Sequence, residues 1–509
     1  MRSSSASVQR EPAHLTCLVT QVRTRSLQNP HADALIQGNR RLDYATFWRH
    51  VEGFACALQD AGLKPGDRVA IILPNRPEAA VAMYGTWLAG GVAVPLNVQA
   101  REREFGAWLK HCGARHVVHE AANQDVVCAL SGIQPQPVAW PLEPGEPLAT
   151  AAGRFHGEDP SLGSIASILY TSGTTGAPKG VTLSHGNLAS NTAAIISYLG
   201  LSSQDRVFSV LPCYYTYGAS LLHTHLAVGA SIVFADAMYF PQQTLTALAN
   251  SQATGFSGVP STFALLCERT ETDGLDFSNL RYLTQAGGAM PVALTRRVQV
   301  LFPDVPLFVM YGQTEATSRL TWLPPERLDD KAGSVGIPVS GVQLCIADEH
   351  GTPLPVGSEG EVLARGPNVM QGYWAAPEAT ARALRNGWLH TGDLGRLDED
   401  GFLWLAGRRD DVIKTGAHRV HPQDIEDVLT EVPGVVEAAV SGMQDDLLGQ
   451  YIAAFVVAEG ATELDIRRHC RTRMAAYKMP RTIHFVTTLP RTASGKVRRA
   501  ALAQELATT

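Results

Sequence analysis

The chain of 509 residues lacks any run of about 18 apolar residues, so its sequence offers no membrane span. It also lacks an excess of positive charge. Against 42 Lys and Arg stand 48 Asp and Glu, a formal net charge of −6. Nucleic-acid binding calls for a basic face, and no such partner is expected. No two of the eight cysteines form a C-x-x-C pair, and none joins a His/Cys cluster. Reduced, mostly structural thiols in a reducing compartment are the expectation. The Ser-rich opening, Met1 to Gln9, has no apolar core of a secretory signal, which points to the cytoplasm. Internal repeats and low-complexity tracts are absent too.

What remains is ordinary globular composition, 45% hydrophobic, in a chain long enough for two or more domains. Phe47, Val51, Phe54, Ala55 and Leu58 recur at helical spacing, and Gly62 follows where a helix should stop. Val69 to Leu73 and Val92 to Val94 read as short buried strands around a helix over Glu78 to Ala89. The pattern returns at Ser164 to Tyr170 and at Ser231 to Ala235. Such alternation predicts an α/β fold with largely parallel sheet. The Pro- and Gly-rich stretch from Pro135 to Pro160 reads as a surface connection. From Gly341 short strands separated by turns predict a small β-rich subdomain, over about 341–407. A smaller unit with its own strand and helix signals begins after Arg408. The expected division is therefore 1–409 and 410–509, the second part a mobile α+β domain.

The strongest local signal is Tyr170-Thr171-Ser172-Gly173-Thr174-Thr175-Gly176-Ala177-Pro178-Lys179-Gly180, which follows the apolar stretch Ile165 to Leu169. Such a loop offers backbone N–H groups, hydroxyls and one ammonium to a polyphosphate. It is not a Walker A loop, because Gly176 and Lys179 are three apart where that pattern needs Gly-Lys-Ser/Thr in succession. A P-loop kinase or ATPase, which would release ADP, is disfavoured.

The loop resembles the signature of the adenylate-forming superfamily of acyl-CoA synthetases, luciferases and peptide-synthetase adenylation domains. The resemblance continues in order along nearly the whole chain. It takes in Gln285-Ala286-Gly287-Gly288-Ala289-Met290, Tyr311-Gly312-Gln313-Thr314-Glu315 and Trp388-Leu389-His390-Thr391-Gly392-Asp393. Gly407-Arg408-Arg409-Asp410-Asp411-Val412-Ile413-Lys414 matches the interdomain hinge, and Pro490-Arg491-Thr492-Ala493-Ser494-Gly495-Lys496 the C-terminal catalytic motif. The implied reaction joins a carboxylate to AMP at the expense of ATP, with Mg²⁺, and then passes the acyl group to a thiol. The acceptor is coenzyme A or, in the nearest alternative, the phosphopantetheine of a carrier protein. A non-catalytic sensor on the same fold is the rival from another class. Loss of Lys496 or Glu315 would favour it, and both are present.

The chemistry explains the residue types. An anionic carboxylate must approach an anionic phosphate, which is costly without charge compensation. The resemblance makes Glu315 the Mg²⁺ carboxylate, puts Thr314 against the α-phosphate, and has Lys496 reach both the phosphate and the acid. Lys179 joins the catalytic set from the glycine-rich loop. Thr171 to Gly176, Gly287, Gly288, Ala289, Tyr311, Gly312, Gln313, Asp393 and Arg408 are the expected nucleotide contacts. Tyr311 would stack on adenine, and Asp393 would accept from the ribose hydroxyls. Asp410 is the expected pivot between the two half-reactions.

Leu211-Pro212-Cys213-Tyr214-Tyr215-Thr216-Tyr217-Gly218 occupies the place of the family's acyl-pocket segment. Many acyl- and aryl-CoA ligases carry His where Tyr215 stands, and amino-acid-activating members an Asp nearby. Neither is present. A buried ammonium without an anionic partner is strongly disfavoured, so α-amino acids are not expected substrates. Tyr214, Tyr215 and Tyr217 predict a neutral pocket with apolar walls and hydroxyl handles. His223 and His225 would point about 200° apart on a helix over Ala219 to Val228, which rules out a shared ion. Gly416, Ala417 and Arg419 correspond to the pantetheine tunnel. Ala417 stands where related CoA-forming proteins generally have Gly.

Overall fold

The computed structural model describes residues 15–143, 145–148, 155–171, 179–235, 240–408, 411, 413–415, 418–445, 449–474, 478–492, 495–499 and 501–502. The predicted helix with Gly62 behind it spans Tyr44–Asp60, and Phe47, Val51, Phe54, Ala55 and Leu58 are all fully buried. Asp43 caps its start by accepting from the Thr46 N–H. Gly62 adopts φ +84°, a conformation that costs glycine nothing. The next helix, Pro77–Leu88, is buried on every face. That suits its apolar all-round sequence and places it inside the molecule rather than at the surface. Its Glu78 is buried among Arg76 and Arg40, which supply the countercharge that burial demands.

Two large sheets flank these helices. In one, Leu307–Tyr311, Tyr282–Gln285, Gly255–Gly258, Arg206–Ser209, Ser231–Phe234 and Asp33–Gln37 run parallel. Antiparallel strands Thr321–Leu323, Ile337–Pro338 and Arg40–Asp43 complete its edges. In the other, Ile165–Thr171, Val92–Pro95, Arg68–Ile72, Ala114–Glu120 and Val138–Leu142 are parallel neighbours. The α/β expectation is met, with one correction. The stretch read as a surface connection contains a strand, Val138–Leu142, on the edge of the second sheet. It carries Pro141 and exposes Val138 and Ala139, and an edge position tolerates proline where a central strand does not.

The β-rich part follows as predicted. Gln343–Ala347, Gly360–Arg365, Trp388–Leu397 and Leu403–Arg408 form an antiparallel sheet. The C-terminal part has its own sheet, in which Gly449–Ala458 pairs with Val435–Asp445 and Thr482–Phe485. Helices Pro422–Thr430 and Glu463–Arg473 pack on it. Buried Glu426 receives Arg499 on both oxygens at 2.7 Å and the Val440 N–H, so its charge is fully answered inside that core.

Candidate active site

The glycine-rich loop joins two antiparallel strands, Ile165–Thr171 and Lys179–Ser184, in which Thr171 lies opposite Lys179. Ser172, Gly173, Thr174, Thr175 and Gly176 lie outside the described residues, as do Asp410, Gly416 and Ala417; of Arg419 only the backbone is described. Lys179 sits 6.0 Å from the centre of the Tyr373 ring, and the Tyr373 hydroxyl donates to Glu315 Oε1 at 2.9 Å. Burial and then the Glu315 charge push the Tyr373 phenol well above its usual pKa. Tyr373 therefore stays a neutral donor and holds Glu315 by one oxygen, and the other has no hydrogen-bond partner among the described residues. The Met370 N–H donates to the Glu315 carbonyl at 2.9 Å, which ties the two segments together.

Tyr311 ends a central parallel strand. Its hydroxyl donates to Asp393 Oδ2 at 2.5 Å, and Arg408 Nε stands 3.1 Å from Asp393 Oδ1. Asp393 in turn is the main reason that the Arg408 pKa is raised. After Tyr311 the chain turns tightly. A Cβ on Gly312 would lie 1.9 Å from the Ser318 carbonyl oxygen, so only glycine permits this closure. Gln313 follows with a buried Nε2 that has no hydrogen-bond partner among the described residues, a donor beside Thr314 and Glu315. Thr314–Ala316 form a single short turn. Gly287 takes φ +88° just past the strand Tyr282–Gln285, with Gly288 accepting from Gln285 Nε2 at 2.9 Å and Ala289 next in line.

Lys496 is carried to the same place by the C-terminal part. Thr492 accepts from the Gly495 N–H at 2.9 Å and donates to the Lys496 carbonyl at 2.7 Å, a compact turn that Arg491 braces through Gly495 O. A Cβ on Gly495 would touch Val259 Cγ2 at 3.4 Å and lie 3.7 Å from Ser261 Oγ, both on the large domain. Lys496 is exposed, yet its pKa is lowered, first by the protein around it and then by Arg408. Asp393 and Glu315 pull the other way. The four groups thus share one electrostatic neighbourhood. A second crossing contact, His421 Nε2 to Glu359 Oε1 at 3.0 Å, joins the C-terminal part to the β-rich subdomain.

On the acyl side, Tyr214 and Tyr215 meet edge to face at 4.8 Å. Tyr217 opens the helix Thr216–Val228, and its hydroxyl is already committed to Thr284 O and Oγ1, at 2.9 and 2.8 Å. It is not a free handle. A charge also stands beside it: the Arg319 guanidinium lies 4.8 Å from the centre of the Tyr217 ring. Nothing in sequence spacing joins residue 319 to residue 217. A partly open cavity of about 20 Å³, room for one water, lies nearby between Asn191, Thr192, Ser220, His223 and Thr317. None of the three tyrosines lines it. His223 and His225 go to different partners, Tyr84 and Tyr282.

A carboxylate with one oxygen unpartnered among the described residues, held by the same Tyr373 that Lys179 approaches, is a hard-oxygen donor that fits Mg²⁺, which keeps few protein ligands and takes the rest from phosphate and water. Two α/β sheets, a β-rich subdomain and a small domain that lowers a lysine over their shared cleft form the architecture of adenylate-forming enzymes. The chain belongs to the AMP-binding enzyme family: the family model matches residues 22–374, and the model of the AMP-binding enzyme C-terminal domain matches residues 424–496. A feruloyl-CoA synthase from Amycolatopsis sp is 32% identical over 93% of this chain and 96% of its own. A 2-succinylbenzoate–CoA ligase from Geobacillus kaustophilus is 33% identical over 95% and 97%. The o-succinylbenzoate CoA synthetase of Bacillus subtilis, solved with its acyl-adenylate intermediate, superposes with a TM-score of 0.85 at 30% identity, covering 95% of this chain and 97% of that one. The same enzyme has also been solved with ATP and magnesium, at a TM-score of 0.84 and 30% identity over 95% and 98%.

Proposed function

We propose that this enzyme, an ATP-dependent carboxylic acid–CoA ligase, divides its two half-reactions between two positions of its C-terminal domain. The domains are 1–409 and 410–509, and the second turns about Asp410. In the first half-reaction a carboxylate oxygen of the acid attacks the α-phosphorus of ATP, and pyrophosphate leaves. Lys496 and Lys179 offset the negative charge that builds there, and Thr314 donates to the α-phosphate. Glu315, held by Tyr373, would carry Mg²⁺. When bound, that ion would neutralise phosphate charge. Asp393, oriented by Tyr311 and Arg408, accepts from the ribose hydroxyls, while Tyr311, Gly287, Gly288 and Ala289 border the adenine.

In the second half-reaction the sulfur of coenzyme A attacks the acyl carbonyl and AMP leaves. Gly416, Ala417 and Arg419 border the path of the pantetheine arm once the domain has turned. The compartment is the cytoplasm. No helix among the described residues is long and apolar enough to cross a membrane.

The observation that carries this reading is the convergence of Lys496, Arg408, Asp393 and Glu315 from both ends of the chain on one cleft. The test is a panel of carboxylic acids with MgATP, with and without coenzyme A. The expected products are AMP and pyrophosphate, with thioester formed only when coenzyme A is present. Release of ADP would contradict the reading. So would AMP formation that yields thioester with a carrier protein and none with coenzyme A.

A further inference from the structure

Arg319 is among the largest fully buried side chains of the protein, at 2% exposure. Long cationic side chains are seldom buried so completely unless an anion answers them. Among the described residues no carboxylate lies within ion-pair distance of it. Its Nε donates to the Tyr198 hydroxyl at 3.2 Å, its Nη1 makes a long contact of 3.4 Å with Ser318 Oγ, and its Nη2 has no hydrogen-bond partner among the described residues. The face of the guanidinium is covered by the Tyr217 ring, a favourable contact that does not replace an anion.

The protein takes trouble to hold the group there. Asn191 and Asn368 both donate to the Arg319 carbonyl, at 3.0 and 2.9 Å. The Tyr217 phenol is fixed by Thr284, which in turn bonds Ser257 at 2.6 Å. Arg319 lies five residues beyond Thr314 on the loop that carries Glu315, and it sits on the side of Tyr217, the acyl-pocket candidate. A buried planar fork whose Nη2 has no partner among the described residues, set against the acyl-pocket candidate Tyr217, matches a carboxylate.

We propose that the acid carries a second anionic group, and that Arg319 reads it: the substrates are dicarboxylic acids, one carboxylate activated and the other seated on this guanidinium. This rests on the ligase reading above and adds the class of acid to it. The second carboxylate of the substrate then supplies the countercharge that this buried guanidinium calls for. Acids with a neutral tail would leave Arg319 unanswered and would be rejected, as sites built around a buried polar group reject analogues that lack its partner.

The test compares acids of one skeleton with and without a second carboxylate: benzoate and terephthalate, hexanoate and adipate, octanoate and suberate. The readout is pyrophosphate release by the wild-type enzyme, R319M and R319K. The wild type should favour the dicarboxylate of the best-accepted pair by on the order of a hundredfold in kcat/KM. R319M should lose that preference or reverse it at an unchanged KM for ATP. R319K, which keeps the charge without the fork, should retain part of it. Wild-type indifference, or preference for the monocarboxylate in every pair, overturns the inference even if R319M fails to fold. A dicarboxylate preference that survives in R319M or in R319K at full strength overturns it too. If acids of other kinds are activated to AMP and pyrophosphate while these pairs show no preference, the ligase reading stands and only this inference falls. If no acid yields AMP, both fall.

Discussion

The Tyr311 hydroxyl donates to Asp393 Oδ2 at 2.5 Å, joining the end of a parallel strand in the large sheet to a strand of the β-rich subdomain 82 residues later. Arg408 completes the set from the neighbouring strand, in which it pairs with Asp393. The contact orients the carboxylate before any nucleotide arrives. Asp393→Ala should raise the KM for ATP by about tenfold or more, the loss expected from removing a charged hydrogen-bond partner. Tyr311→Phe should produce a smaller rise, and the double variant should lose less than the sum, since one removes the other's purpose. Steady-state kinetics with ATP varied at saturating acid will show it. An unchanged KM for ATP in Asp393→Ala would contradict the ribose role.

Glu315 and Tyr373 form a second pair, at 2.9 Å. Glu315→Ala should abolish adenylation with the fold kept. A site carboxylate costs rather than adds stability. Tyr373→Phe leaves the carboxylate but frees it to rotate. It should raise the Mg²⁺ concentration needed for half-maximal rate by about tenfold, the scale of lost outer-shell support. A wild-type rate for Glu315→Ala in excess Mg²⁺ and ATP would refute the metal role.

Thr317 holds φ +66°, a left-handed conformation rare for a β-branched residue, beside the Thr314–Ala316 turn. Its hydroxyl donates to Asn368 O at 2.6 Å. Thr317→Ala loses that bond and keeps the strain, while Thr317→Gly loses the bond and removes the strain. The glycine variant should therefore be more stable than the alanine variant by about 1 kcal/mol, measured by denaturant unfolding. The opposite order would show that the loop is not strained there.

Burial lowers the pKa of His185 and His225 to about 4 and of His223 to about 3. The unfolded chain binds protons on these residues near the usual value of 6.5. Below that pH the unfolded state takes up more protons than the folded one, so acid favours unfolding. Their stabilising contribution is complete above about 6.5 and is lost as the pH falls from there toward 4. Each adds a slope of up to about 1.4 kcal/mol per pH unit within that window. His223→Gln should flatten the fall in stability between pH 7 and pH 5, measured by urea unfolding at both. An identical slope in the variant would show that His223 is not held neutral.

Much of the large domain was legible because its strands and helices are short, buried and regularly spaced. Phe47, Val51 and Phe54 announce their helix, and the strand Val92–Pro95 is a bare apolar run. The edge strand Val138–Leu142 was not legible, because half of it faces solvent and a proline interrupts it. The candidate site divided along a similar line. Residues inside contiguous motifs, such as Glu315, Asp393 and Lys496, could be named from the chain alone. Tyr373 and Arg319 could not, since their partners Glu315 and Tyr217 lie 58 residues back for one and on a helix far earlier in the chain for the other. Only the fold brings them together, and a lone Tyr or Arg has no spacing to betray it.

The account turns on Lys496 acting in one half-reaction and standing aside in the other. Single-turnover assays of Lys496→Ala, run separately on each half, test this most directly. Formation of acyl adenylate from acid and MgATP should fall by roughly a hundredfold or more, the scale of losing one positioned donor at the developing charge. Conversion of supplied acyl adenylate and coenzyme A to thioester should proceed at the wild-type rate. Equal loss of both halves, with the fold intact by circular dichroism, would contradict the alternation of the C-terminal domain.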